Sequence, residues 1–573
     1  MTAPAAPLPG PEEYSHDAEP LLTQTPEAGS DPEDENGPWT WAPMWHRACS
    51  FDPDAFDDVM QNLVRNPNVL SSWLFRADIV AQSTDEAVKL PTSPPIHPSF
   101  DGIVRANERT IVRRLIPRNT MRDKPMLQTC LFYDNRSGEE EHGGDGDSVE
   151  RSLVVYLPHV TNPADVPFYH PKVQGVGFLY DWQPLTGTGT LSVHFSFFPA
   201  SASASIDEPL DAELGKKLSR PILSRVALSL INTVCKHGAG KKSGYVKRVH
   251  HDQLVPQARV QDRYTRLKEK HARRLVETWL ETTDPAKHVF EDLSIAAFLI
   301  ELWADMYGGE DGQVPAAFPG FVDVGCGNGL LVHILNDEGY KGWGFDARKR
   351  RSWAQYGNSA HNDTGDDAVL PLKESLLLPS FLVADDEESD GEREREPEPE
   401  VEPKPKKVKL TPTGLPIHDG TFPSGSFLIA NHADELTVWT PLLAALSGCT
   451  FIAIPCCSHN FTGAKFRAPP PSSASKEATA SVSVTLASSS TYASFVEWVV
   501  SVAEACGWKI EFEMLRIPST RNVGLVGRTH RQGSGLPPLS IEQAWDVINK
   551  FGGAHGFADN VAKLASETKK SSH

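Results

Sequence analysis

The sequence predicts an α/β protein whose doubly wound sheet is preceded by an α+β extension and interrupted by disordered insertions. Three observations lead there. Phe321-Val322-Asp323-Val324 is a short apolar strand that passes through Gly325-Cys326-Gly327-Asn328-Gly329 into the helical Leu330-Leu331. Beyond it, short apolar strands alternate with helical stretches, the pattern of parallel strands joined by crossover helices. At 573 residues the chain exceeds one core, so about two folded units plus linkers are expected.

Taken in order, residues 1–38 are rich in Pro, Glu and Asp and have too little apolar surface to offset ordering entropy, so they read as a disordered tail. Residues 39–235 carry strand-like pieces at Ser152–Tyr156, Val176–Tyr180 and Leu191–Phe197 between Pro-rich loops, an α+β accessory region without a catalytic motif. Residues 236–281 form a basic segment and helix. Val260, Tyr264, Leu267, Leu275 and Trp279 recur at helical spacing between Gln257 and Glu281, leaving the cations on the other face. That face is expected to contact RNA; its plainer reading is a solvated helix.

Residues 282–530 form the catalytic domain. Asp284-Pro285 opens a helix whose apolar positions run from Val289 to Met306, and strands follow at Phe321–Val324, Gly342–Asp346, Ser426–Ala430, Thr450–Ile454, Lys509–Met514 and Asn522–Gly527. Low-complexity stretches at 384–412 and 469–490 are expected as disordered loops, and 531–573 as a helix and tail.

Net charge is −20, which by itself opposes a nucleic-acid partner. Much of it, however, sits in the tail, in Gly138–Asp147 and in Asp385–Glu402, which should stay disordered and away from the working surface. The eight cysteines form no C-x-x-C pair and read as free thiols in a reducing compartment. Cys456, Cys457 and His459 lack a second ligand cluster, so no metal is expected. No apolar run approaches the roughly 20 residues of a membrane span, and an intracellular protein is expected.

The glycine turn marks a nucleotide-cofactor site, because glycines let the backbone approach a ligand and the following helix begins with unpaired N–H groups. A dinucleotide fingerprint needs a small residue where Leu330 stands, which disfavours nicotinamide and flavin. Asp323 to Gly329 does match D-x-G-x-G-x-G, the first motif of S-adenosylmethionine-dependent methyltransferases. In that resemblance Asp323, Gly325, Cys326, Gly327, Asn328 and Gly329 hold the amino-acid end of S-adenosylmethionine. Asp346, 23 residues after Asp323, is placed to accept both ribose hydroxyls. Beside this site, after the strand ending at Ala430, stands Asn431-His432-Ala433-Asp434-Glu435; helix capping alone also accounts for its acids.

A more specific resemblance rests on Glu338-Gly339-Tyr340-Lys341-Gly342-Trp343-Gly344-Phe345-Asp346, Asn431–Leu436, Pro455-Cys456-Cys457-Ser458 and Arg516-Ile517-Pro518-Ser519-Thr520-Arg521. Upstream it includes Tyr156-Leu157-Pro158-His159, Phe168-Tyr169-His170-Pro171, Lys247–Asp252 and Lys287–Leu293. These runs resemble the tRNA (uracil-O2')-methyltransferase family over about residues 150–530. The resemblance implies a Rossmann-like class I methyltransferase sheet and methyl transfer from S-adenosylmethionine to the 2'-hydroxyl of uridine 44 of serine tRNA, in the cytoplasm, and leaves room for an accessory protein.

The reaction needs in-line placement and removal of a proton from a weakly acidic alcohol. Asp434 or His432 is the expected base, with Glu435 second, and Asn431 holds the nucleoside. A Lys-Asp-Lys-Glu set, used by many enzymes of this kind, would take Lys287, Asp434 and Lys465 with a glutamate such as Glu513; it does not map cleanly. Lys465, Arg516 and Arg521, with Lys247 and Arg248, are expected to grip RNA phosphates. Competing readings are a methyltransferase for another acceptor, or a binding module that keeps the fold as scaffold. The absence of D/N-P-P-Y after the Ser426–Ala430 strand opposes amino-group methylation, and the intact acids and glycines oppose a scaffold.

Overall fold

The computed structural model describes residues 8–15, 17–20, 22–23, 40–83, 100, 107–119, 122–135, 149–198, 220–245, 251–309, 313–356, 371–383, 415–469, 490–530 and 538–570. Lys247, Arg248, the acidic run 138–147, the insertion 384–412 and nearly all of 469–490 lie outside them. The chain forms two compact units, residues 1–246 and 247–573.

Among its described residues the first unit is a nine-stranded antiparallel sheet with two α-helices. Its strands are β1 (Glu12–Glu13), β2 (Leu22–Thr23), β3 (Thr40–Cys49), β4 (Leu74–Gln82), β5 (Asn107–Pro117), β6 (Met126–Asp134), β7 (Glu150–Pro158), β8 (Gly175–Gln183) and β9 (Thr188–Ser196). They run in the order β1-β3-β9-β8-β7-β6-β5-β4, with β2 also on β3. Helices α1 (Pro53–Arg65) and α2 (Arg220–Lys242) share one apolar core with a face of this sheet, where Phe56, Leu63, Ile231 and Val234 meet Val154, Phe178 and Val193. Asp52 caps α1 by accepting from Ala55 N, and Pro53 opens its first turn. The expected pieces Ser152–Tyr156 and Val176–Tyr180 lie within β7 and β8, and Leu191–Phe197 runs one residue past the end of β9. The N-terminal stretch departs from expectation. β1 and β2 pair antiparallel with β3, so part of the supposed tail completes a sheet edge; backbone pairing needs no apolar composition.

The second unit is mixed α/β. Its helices are α3 (Gln257–Leu267), α4 (Arg273–Glu277), α5 (Pro285–Tyr307), α6 (Leu330–Asp337), α7 (Trp353–Tyr356), α8 (Trp439–Ser447), α9 (Thr491–Ala505), α10 (Ile541–Lys550) and α11 (Phe557–Lys570). Its strands are β10 (Phe321–Val324), β11 (Gly342–Asp346), β12 (Leu372–Glu374), β13 (Leu376–Leu377), β14 (Ile417–His418), β15 (Phe427–Asn431), β16 (Thr450–Ile454), β17 (Trp508–Met514) and β18 (Val523–His530). Seven form a sheet in the order β12-β11-β10-β15-β16-β18-β17, parallel from β12 to β16 and antiparallel at β18 and β17.

The central strands are apolar at nearly every position because both faces are covered. Phe321, Phe427, Ile429 and Ile452 point into the core that holds α5 and α6, while Val322, Val324, Leu428 and Ala453 point into the core that holds α8 and α9. Strand order reverses direction between β10 and β15, so the crossovers leave a crevice at the carboxyl ends of those two strands.

The expected basic segment 236–281 is divided. Lys236 to Lys242 end α2 in the first unit, whereas residues from 247 onward belong to the second. The helix expected over Gln257–Glu281 runs as α3, a π-helical turn at Lys268–Ala272, and α4, and stops at Glu277. There the Thr278 hydroxyl bonds the Arg274 carbonyl at 2.9 Å, and Trp279 stacks on His288 of α5.

Several cations of this helix are engaged within the protein. Arg259 reaches Glu301 and Asp305 of α5 at 2.8 and 2.7 Å, and Arg263 reaches the same Glu301 at 2.8 Å. Lys270 pairs with Glu338, and Arg274 with Asp337. Sequence spacing placed these side chains opposite the apolar stripe; acids on α5 and α6 draw them back onto the fold.

Candidate active site

The crevice holds a cavity of about 460 Å³ lined from four directions. β10 carries Asp323 one residue before its end at Val324, and the chain turns through Gly325 to Asn328. β11 ends at Asp346; β15 delivers Asn431, His432 and Asp434; α5 presents Lys287, Glu291 and Asp292. Arg521 and Cys456 complete the rim.

Local geometry of the turn explains its glycines. Gly325 and Gly327 take positive φ of 76° and 54°, and nothing lies within 4 Å of where a Cβ on Gly327 would stand, so that position is open to a ligand. Gly329 serves packing: at φ 76° it opens α6, and a side chain there would meet Leu372 at 2.5 Å. Both Gly325 N and Cys326 N donate to Phe345 O at 2.9 Å. Trp353 Nε1 and Ser352 Oγ donate to the carbonyls of Gly327 and Asn328 at 3.0 and 2.7 Å, which fixes the turn from outside. Asn328 Oδ1 accepts from Leu330 N at 2.8 Å, which ties the turn to the start of α6.

The acids differ sharply in environment. Asp346 accepts from Gly327 N through Oδ2 and from Arg348 N through Oδ1, both at 3.0 Å, and each oxygen keeps a lone pair for a further donor. Asp323 is only 2 % exposed, and its Oδ1 is buried without a hydrogen-bond partner. Burial, reinforced by the charges of Asp292 and Asp346, raises its pKa well above the usual carboxylate range. Asp292 is pushed up to about 7 by burial and by neighbouring Glu291, against a weak opposing hydrogen bond from Asn431 Nδ2 at 3.4 Å. Asp323, Asp346 and Asp292 thus share one cavity with Glu291 and Asp434, with the cations Lys287, Arg350 and Arg521 in the same lining, and the Asp323 acceptor is left unfilled.

His432 and Asp434 both have positive φ, 52° and 43°, which is uncommon for residues with a Cβ. His432 N donates to Ile454 O at 3.2 Å, anchoring the bend to β16. The imidazole Nε2 lies 3.2 Å from Glu291 Oε1, and Nδ1 is buried without a partner. Cys456 Sγ sits 3.1 Å from Asp434 Oδ1.

Not every expected site residue is gathered here. Asp323, Gly325, Cys326, Gly327, Asn328, Asp346, Lys287, Asn431, His432, Asp434 and Arg521 line the cavity, and Gly329 supports it from behind. Glu435 instead lines a separate cleft with Leu376 and Phe557, because the 3-10 turn Asp434–Leu436 sends consecutive side chains in different directions. Arg516 is paired with Asp252 at 2.6 Å and is absent from the lining. Lys465 is exposed outside the lining, on the segment bridged to His459. Glu513 accepts the backbone N–H groups of Asp252, Gln253 and Leu254, so the Lys-Asp-Lys-Glu set is not assembled. Asp434, Cys456 and Cys457 form a possible three-ligand group, and His459 is not part of it.

Sequence reasoning did not single out Glu291 and Asp292 as site residues. The available signal was two adjacent acids on an apolar helix that α5 buries almost throughout its length.

The orphaned Oδ1 of Asp323, the open face at Gly327 and the free lone pairs of Asp346 fit a ligand that brings a cation at one end and a ribose diol at the other. Fold and site define an S-adenosylmethionine-dependent methyltransferase, and residues 254–371 match the family model described as a predicted AdoMet-dependent methyltransferase. Residues 12–248 match a TRM44-like, N-terminal bet v1-like domain. A tRNA (uracil-O(2)-)-methyltransferase of Neurospora crassa is 45% identical over 97% of this chain and 98% of its own. Namesakes from Eremothecium gossypii and Saccharomyces cerevisiae are 37% and 34% identical over 93% and 90% of this chain and 97% and 91% of theirs. The chain belongs to the tRNA (uracil-O(2)-)-methyltransferase family. No solved structure matches it.

The raised pKa of Asp292 carries a pH prediction. Below about pH 7 it is protonated and the cavity loses one negative charge. S-adenosylmethionine bears a net positive charge, so its affinity is expected to rise with pH toward 7 and level off above. Calorimetric titration between about pH 5.5 and 8.5 would read this; the limiting slope is about tenfold per pH unit for one proton. Asp292→Asn should flatten the profile, and a flat wild-type profile would refute the assignment. For the ligand-free protein the sign is opposite. The folded-state pKa lies above the unfolded one, so stability from this group is greatest below the unfolded pKa and is lost as pH rises through about 7.

Proposed function

We propose that this protein transfers the methyl group of S-adenosylmethionine to the ribose 2'-hydroxyl of uridine 44 in serine tRNA, in the cytoplasm. The observation that carries the reading is one cavity where the cofactor acids Asp323 and Asp346 share walls with His432, Asp434 and Asn431. The strand order and the apolar cores on both faces support a doubly wound, Rossmann-like sheet. Among the described residues no helix is long and apolar enough to cross a membrane.

The bound cofactor supplies an already activated methyl group. Asp323 and Asp292 offer acceptors to its ammonium end, and Asp346 accepts its ribose hydroxyls. His432 is the base. A carboxylate beside Nε2 favours the tautomer with the proton there. Glu291 fixes that tautomer and stabilises the imidazolium that follows. Asn431 holds the nucleoside, and Lys287 moderates the negative field at the reacting oxygen. Arg521 lies over the Tyr492 ring at 4.4 Å with no carboxylate partner among the described residues, and is available to an RNA phosphate.

The test is incubation of the purified chain with labelled S-adenosylmethionine and total tRNA, followed by nucleoside analysis and position mapping. The expected product is 2'-O-methyluridine at position 44 of serine tRNA. Cofactor binding without any 2'-O-methylated nucleoside would overturn the substrate assignment.

A further inference from the structure

A cavity of about 620 Å³ lies in the first unit, far along the sequence from the methyl-transfer chemistry. It opens between α2, strands β4 to β8 and the loop that carries Phe168-Tyr169-His170-Pro171. Tyr156 of β7 also lines it, so two of the runs quoted for the family resemblance converge on one cleft that the methyltransferase reading leaves without a task.

Its mouth is aromatic and cationic. Trp73 and Phe168 are 47% and 41% exposed and meet edge to face at 5.2 Å. The Arg122 guanidinium lies 5.2 Å from the first ring and 4.4 Å from the second. Arg122, Arg118 and Arg225 are exposed and have no carboxylate partner among the described residues, in a protein whose net charge is −20. Exposed flat rings beside unpaired guanidinium groups are what a nucleobase and its phosphate require.

The interior is polar at one point. Arg113 is 2% exposed, and its hydrogen bonds go to neutral oxygens: Gln128 Oε1 and the carbonyls of Leu63 and Val64. It therefore carries a buried positive charge with no counter-ion among the described residues. It covers the Tyr156 ring at 4.7 Å, and the hydroxyl of Tyr156, a residue 4% exposed, is buried without a partner. A buried hydroxyl with no hydrogen bond is costly, and a ligand that supplies one relieves it.

We infer that this cleft is a second RNA site: it receives one unpaired nucleotide of the tRNA substrate, with the base against Trp73 and Phe168, a polar edge bonded to Tyr156 Oη, and the phosphate on the rim arginines. The volume is in the range of small-ligand sites. This inference rests on tRNA being the substrate, and its failure can be told apart from failure of that reading.

The experiment measures binding of total tRNA to the full chain, with S-adenosylmethionine affinity and melting temperature as controls. Trp73→Ala/Phe168→Ala is expected to weaken tRNA binding roughly ten- to hundredfold while leaving cofactor affinity unchanged. Tyr156→Phe removes one oxygen and is expected to weaken it about three- to tenfold with no loss of melting temperature. Photocrosslinking with 4-thiouridine-substituted tRNA should map to the Trp73–Phe168 mouth. Wild type that binds tRNA as tightly as both variants, without a crosslink there, overturns the inference and leaves the substrate reading standing; a small molecule released from the cleft on denaturation would then name its occupant. Wild type that binds no tRNA overturns both.

Discussion

Asp323→Asn is expected to weaken S-adenosylmethionine binding by about two orders of magnitude and, at neutral pH, to raise the melting temperature of the ligand-free protein. The two effects have one cause. Asp323 is buried beside Asp292 and Asp346, with its Oδ1 unpartnered and its pKa well raised. An isosteric amide removes the cost of charging that site and keeps its volume, so the empty fold gains. The cationic end of the cofactor loses the carboxylate whose charge-assisted hydrogen bond contributes about 1.5–3 kcal/mol. Calorimetric titration and a thermal melt on the same preparation read both signs. Loss of melting temperature together with affinity would mean that Asp323 is a structural residue whose role in binding is indirect.

His432→Ala is expected to lower kcat by about 10²–10⁴-fold, the usual contribution of a positioned general base, with cofactor affinity unchanged. The backbone at φ 52° is held by the His432 N–H bond to Ile454 and by register on β16, neither of which needs the imidazole. The variant should therefore fold. Glu291→Gln tests the orienting contact at 3.2 Å: it keeps shape and hydrogen bonding but loses the charge that supports the imidazolium, so kcat should fall less than in His432→Ala. Asp434→Asn separates the two candidate bases. Asp434 is exposed at the cavity rim with Cys456 Sγ 3.1 Å from its Oδ1, so the amide should cost little. If instead Asp434→Asn abolishes turnover while His432→Ala retains it, the proton goes to the carboxylate.

The cofactor half of the site was legible in the chain because its chemistry is local. Asp323 to Gly329 are seven consecutive residues, and a strand-turn-helix places them by backbone geometry alone. Asp346 follows from the next strand in register, where Phe345 pairs with Val324. The acceptor half was less legible. His432 and Asp434 sit at positive φ and face the cavity, while Glu435, the next residue, faces a separate cleft, so adjacency in sequence does not group it with them. Arg516 was expected on RNA, yet Asp252, more than 260 positions away, claims it at 2.6 Å.

By itself, the sequence determined the strand-turn-helix, the alternation of apolar strands with helices, the cofactor it serves and the family of the chain, since each is written in contiguous residues whose spacing has one physical reading. Only the tertiary structure decided which acids share the cavity, that Glu291 stands against His432, and that the cations of α3 and α4 turn inward to Glu301, Asp337 and Glu338. A charged side chain's partner is set by distance in space, and a folded chain brings carboxylates within 3 Å of guanidinium groups across dozens or hundreds of residues that no local pattern connects.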